Sequence, residues 1–85
     1  MNEITYVVTM QKLNKYGEPI KNAHRYMCDK FKESDPILAM HQFMNKCKQN
    51  GRKEYRYELS EALRWKHVMF YQWDEKEQRW KEIRV

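Results

Sequence analysis

Two glycines, two prolines and two cysteines are all that the 85 residues carry, and each shortage excludes something. So few glycines and prolines leave no room for a low-complexity linker, and two glycines cannot build a glycine-rich phosphate cradle. Two cysteines cannot form the disulfide framework that small secreted domains rely on, which points to a reduced compartment. No apolar run approaches ~18 residues, so no membrane-spanning helix is expected. The opening residues Met1-Asn2-Glu3-Ile4-Thr5-Tyr6 lack a basic stretch followed by a long apolar run, and so lack a signal-peptide pattern. The expectation is a cytoplasmic protein with no membrane partner.

What is present is enough to fold. The chain is 41% hydrophobic and 14% aromatic, too rich for intrinsic disorder. Its length suits one domain spanning 1–85, which buries only ~60–65% of its unfolded surface. Charge is the other asset: 17 Lys and Arg against 12 Asp and Glu give a net +5. That surplus is local. Residues 1–43 carry a net +1, residues 68–85 none, and residues 44–67 a net +4. The middle segment holds Lys46, Lys48, Arg52, Lys53, Arg56, Arg64 and Lys66. A clustered excess steers phosphate or acidic partners, although lysines at a helix C-terminus also serve the helix dipole.

Periodicity sets the elements. Ile4, Tyr6, Val8 and Met10 alternate with Thr5, Val7, Thr9 and Gln11, which predicts a half-buried strand over 4–12 with the first set inward. The cluster Asn14 to Pro19 reverses the chain. Ile20 to Phe31 alternates less regularly and reads as a second strand at a sheet edge. Ser34-Asp35-Pro36 opens a helix, with Asp35 or Ser34 capping it and Pro36 in the first turn. The helix should end at Asn50, stopped by Gly51. Ile37, Met40, Phe43, Met44 and Cys47 span its apolar stripe, with Leu38 and His41 off it. Tyr55, Tyr57 and Leu59 then mark a third strand, Ser60-Glu61-Ala62 a turn, and Leu63 to Trp73 a fourth strand. Asp74 to Glu77 makes a charged hairpin loop before a last strand over 78–85. The fold class is α+β: an antiparallel sheet of about five strands with one helix on one face, in the order ββαβββ. A helix over 60–67 is the competing reading.

Catalytic and metal chemistry fit this layout poorly. His24 and Cys28 are four apart in an expected strand, hence ~13 Å from each other and unable to share a zinc. His41 and Cys47 point to different sides of the helix. Neither Ser34 nor Ser60 sits in a Gly-x-Ser-x-Gly elbow, and no cysteine lies near a helix N-terminus that would activate it. Tyr6 and Tyr16-Gly17 echo the tyrosine motifs of a homing-nuclease family, but the glycine before the first and the isoleucine of the second are missing. Neither an enzyme, nor a metal, nor a cofactor is expected.

The aromatics say more. Seven of the twelve (Tyr55, Tyr57, Trp65, Phe70, Tyr71, Trp73 and Trp80) lie beside the basic segment. Strict alternation puts Phe70 and Val68 on one face with Arg64 and Lys66. Such a surface suits base stacking with phosphate contact, and equally an interface anchored by rings and cations. Packing of Trp73 and Trp80 across their hairpin is the simpler role for that pair. The strand Ile4-Thr5-Tyr6-Val7-Val8, the helix opened by Asp35-Pro36 and the hairpin from Phe70-Tyr71-Gln72-Trp73 to Trp80 together resemble small single-domain proteins of phages and mobile elements, including anti-CRISPR proteins. The resemblance is one of layout and transfers no functional residue. It implies an inhibitor, working in the host cytosol, that occupies a surface on a host protein or ribonucleoprotein complex. Direct binding to DNA or RNA is the alternative. Lys46, Lys48, Arg52, Lys53, Arg56, Arg64, Lys66 and Phe70 are the expected contact residues; the oligomeric state is not legible.

Overall fold

The computed structural model describes residues 3–84; Met1, Asn2 and Val85 lie outside them. Five strands and one helix follow in the expected order: β1 (Ile4–Lys12), β2 (Arg25–Glu33), α1 (Pro36–Asn50), β3 (Tyr55–Glu61), β4 (Lys66–Asp74) and β5 (Arg79–Ile83). The sheet is antiparallel throughout, with strand order β2-β1-β3-β4-β5, and α1 packs on one face against β2, β3 and β4. Among the described residues no helix is long and apolar enough to cross a membrane.

The helix forms where its punctuation says it should. Asp35 has extended backbone angles and its Oδ1 accepts from the Ile37 N–H at 2.9 Å, while Pro36 begins the first turn. Gly51 ends the helix at φ +72°, its N–H donating to the Cys47 carbonyl. A side chain there would meet the left-handed penalty that glycine escapes. The buried stripe of α1 is Ala39, Phe43 and Cys47. Met40 and Met44 flank it, whereas Ile37, expected on it, stands 60% exposed. The stripe is narrower than the sequence suggested because a single helix on a twisted sheet touches it mainly along one line.

Under the helix lie Tyr6, Val8, Tyr57, Leu59, Met69 and Tyr71, every one buried. Each such side chain contributes roughly 1.5–3 kcal/mol relative to exposure, which matters in a domain with so thin a margin. Tyr57 keeps its hydroxyl satisfied by donating to Asn50 Oδ1. Burial raises the Tyr57 pKa and keeps the phenol protonated.

Two bulges alter the expected faces. Val8 and Thr9 pair with Asp29 and Met27, which leaves Cys28 as an extra residue in β2. Leu59 and Ser60 pair with Met69 and His67, which leaves Val68 extra in β4. Beyond each bulge the alternation resumes one residue out of step. Three expected boundaries also move. Residues 20–24 are loop and β2 begins at Arg25; Ser60 and Glu61 belong to β3, with Ser60 buried; and Ala62 to Trp65 form the turn into β4. No helix forms over 60–67.

Register fixes two ends of the sheet. At one end lie the start of α1, the start of β1 and the turn Ala62–Trp65, joined where the Ala62 N–H donates to the Thr5 carbonyl at 2.8 Å. At the other lie the loop Leu13–Pro19, the finish of α1 and the turn between β4 and β5, with the Leu13 N–H donating to the Glu54 carbonyl at 2.8 Å.

Candidate interaction surface

The seven basic residues that cluster in the sequence do not form one patch. Lys46 is on α1, ion-paired to Asp29 at 2.7 Å and lying over the Phe31 ring. The hydrogen bond from Lys46 holds the Asp29 carboxyl below its ordinary pKa. Lys48 is exposed in the last helical turn. Arg52 and Lys53 lie in the loop after α1: Arg52 sits 3.7 Å from Glu54, and the Lys53 ammonium stands over Trp73, 3.9 Å from the ring centroid. Arg64 is in the turn before β4 and Lys66 begins that strand. The seven residues of β3 span ~23 Å between these last two groups. A run of charges along the chain is thus spread over both ends of the sheet.

Of the expected contact residues, Arg56 and Phe70 come together, on the sheet face that α1 leaves open. The Arg56 guanidinium lies 5.2 Å from the Phe70 ring centroid, and its Nε donates to Gln72 Oε1 at 2.7 Å. Gln72, buried, donates in turn to the Gly17 carbonyl at 3.0 Å, so this arginine is braced through the loop beyond β1. Burial lowers the Arg56 pKa, the mark of a partly desolvated cation.

Arg64 and Lys66 do not share that face. The bulge at Val68 sends Val68 toward the core, where it packs against the buried cluster, and brings His67 round to Phe70. The two rings stand 4.3 Å apart. His67 Nδ1 meets Glu58 Oε2 at 2.7 Å, and Glu58 Oε1 accepts from Arg25 at 2.6 Å. Strict alternation missed His67 because a bulge has no signature in residue types; Glu58 and Arg25 join it through a cross-strand register that alternation within one strand does not give. Met27, 63% exposed, and Lys30 and Lys32 occupy the same face on β2. Neither Lys30 nor Lys32 has a carboxylate in ion-pair range among the described residues.

The open face therefore presents a ring pair at its centre, one braced arginine beside it and free lysines toward the β2 edge. Such an array can stack on flat groups and pair with anions. It holds no general acid–base pair aimed into a pocket: the hollow beside Arg56, Glu58 and Phe70 has a volume of about 10 Å³. Among the described residues no three His, Cys, Asp or Glu side chains are placed to hold a metal ion. Burial raises the Cys47 thiol above its ordinary range, which suits packing rather than attack; partial desolvation raises the Cys28 thiol too, although that side chain is exposed. No family model, curated protein or solved structure matches the chain.

Proposed function

We propose that the protein is a stoichiometric, non-enzymatic binder of phage or mobile-element origin whose open sheet face occupies a nucleic-acid-handling or defence complex of the host. The observation that carries this reading is Phe70, set between His67 and the braced Arg56 on the face without the helix. Aromatic and arginine side chains held rigid by neighbours are the usual anchors of protein interfaces, because little rotamer freedom is lost on binding. Lys30 and Lys32 add the long-range attraction that a complex rich in phosphate or carboxylate would feel.

Affinity purification from the native host, with and without nuclease, tests it. A complex that survives nuclease and weakens at least tenfold with Phe70→Ala supports the reading. Recovery that vanishes with nuclease favours the second reading, direct binding of DNA or RNA. The ring and guanidinium on one face favour that alternative too, as a base-stacking platform. In that case log K falls linearly with log[salt], and Lys30→Ala and Lys32→Ala each lower the slope by about one unit.

A further inference from the structure

The turn between β3 and β4 breaks the rules of turn chemistry. Hairpin tips favour Gly, Asn, Asp and Ser, which tolerate positive φ or bond their own backbone. Here the tip is Ala62-Leu63-Arg64-Trp65, and Trp65 itself takes the left-handed conformation at φ +49°. Leu63 is 94% exposed and Trp65 73% exposed. Among the described residues no side-chain hydrogen bond offsets the backbone strain, and the apolar area stays exposed. Local strain combined with exposed rings is found where function requires it.

The surroundings extend the feature. Ile37 and Leu38, exposed in the first turn of α1, lie at the same end of the sheet. Arg64 sits within the tip between Leu63 and Trp65, Lys66 follows it, and neither has a carboxylate in ion-pair range among the described residues. Of the nearby carboxylates, Glu33 accepts from Gln42 and from the Ser34 and Asp35 N–H groups, Asp35 caps the helix, and Glu61 stands opposite Lys66 in register without closing to an ion pair. Two cations without an ion pair therefore alternate with two exposed apolar side chains, in the order Leu63-Arg64-Trp65-Lys66.

We propose that this tip is a docking anchor: Leu63 and Trp65 insert into an apolar pocket on a partner protein whose rim carries Asp or Glu side chains that pair with Arg64 and Lys66. The anchor rests on the reading of the chain as a binder but not on its open face, and supplies a second contact of different chemistry. Charge complementarity selects the occupant. A tip whose cations alternate with its apolar residues is disfavoured by a basic rim and drawn to an acidic one.

The test is selection of a displayed library of constrained random peptides on the full-length chain. Enriched peptides that combine aromatic or aliphatic residues with Asp or Glu, and that bind at least tenfold more weakly to Leu63→Ser/Trp65→Ser, support the anchor. Arg64→Glu/Lys66→Glu, which leaves the apolar residues in place, should weaken the same peptides by a similar factor. Phe70→Ala should leave them unchanged, so failure of the open-face reading and failure of the anchor are told apart. Peptides that bind the double serine variant equally well, or a selection that enriches none, overturn the anchor. So does binding to phosphatidylglycerol vesicles with a blue shift of tryptophan emission that Trp65→Ser abolishes, because the occupant is then a lipid surface.

Discussion

Two turns of this sheet solve the same geometric problem in opposite ways. Both reverse an antiparallel pair, and both hold a non-glycine residue at positive φ: Trp65 at +49° and Gln78 at +53°. Around Gln78 the chain compensates. Gln78 Nε2 donates to the Glu75 carbonyl at 2.7 Å, and Asp74 Oδ1 accepts from the Lys76 and Glu77 N–H groups. Glu77 pairs with Arg79 and Lys81, and Trp73 Nε1 donates to Glu75. Around Trp65 no side chain offers such a bond among the described residues. The contrast teaches that one turn is built to hold the sheet and the other is held by it.

The sharpest way to break this comparison uses the two hairpin tryptophans. Trp80 stacks on Tyr71 at 5.9 Å, meets Tyr57 at 6.1 Å and stands edge-on to Trp73. Trp80→Ala should cost about 2–4 kcal/mol, somewhat less than the ~3–5 kcal/mol of a fully buried tryptophan because the ring is only half-buried. Trp65→Ala should change stability by less than about 0.5 kcal/mol. Urea midpoints for both variants decide it; equal losses would mean that the exposed tip supports the fold.

A smaller effect lies in the Asp74 carboxylate. The Glu77 N–H, followed by the Lys76 N–H, holds its pKa below the ordinary aspartate value. A lowered folded-state pKa stabilises above the unfolded value of about 3.9 and is lost as pH falls through the folded one. Asp74→Ala should therefore lower the melting temperature at pH 6, and the gap to the parent should close toward pH 2. A gap independent of pH would show that the carboxylate's charge plays no part in the turn.

How legible was this contrast beforehand? The helix was, almost to the residue, because Asp35, Pro36 and Gly51 act through their own backbone geometry. The order of elements along the chain and the compensated turn were also within reach, since Asp74 and its charged neighbours are ordinary turn residues. The exposed turn was not. Leu63 and Trp65 have strand-like side chains, so alternation reads straight through them, and only pairing between Glu61 and Lys66 shows where the reversal falls. The candidate surface was legible in part for a related reason. Phe70 and Arg56 are both among the expected contact residues, but their meeting across β3 and β4 depends on a strand register that the sequence does not state, and Lys46 and Arg64 are grouped by a sequence proximity that the strands undo. The exchange of Val68 for His67 beside Phe70 depends on one extra residue, which no local preference announces.

Relief of strain gives the next measurement. A left-handed non-glycine residue costs about 1–2 kcal/mol, and glycine gives back roughly 0.5–1 kcal/mol through the freedom of the unfolded chain. Trp65→Gly should raise stability by up to about 1 kcal/mol and so raise the melting temperature. Gln78→Gly should gain less, because it discards the bonds from Gln78 Nε2 along with the strain. A fall in melting temperature for Trp65→Gly would place the ring among the supports of the sheet.

The smallest effect carries the most meaning for function. Leu63 is nearly as exposed in the folded chain as in an unfolded one, so Leu63→Ser removes almost no burial and should leave the urea midpoint within the equivalent of about 0.5 kcal/mol. A leucine that contributes nothing to its own fold still makes the surface less soluble, a cost with no return inside the monomer. If Leu63→Ser does destabilise the chain by more than 1 kcal/mol, the side chain has a resting place in the folded state and the two turns are more alike than their geometry implies. If it does not, the leucine is free of any duty in the fold, as the proposed docking anchor requires.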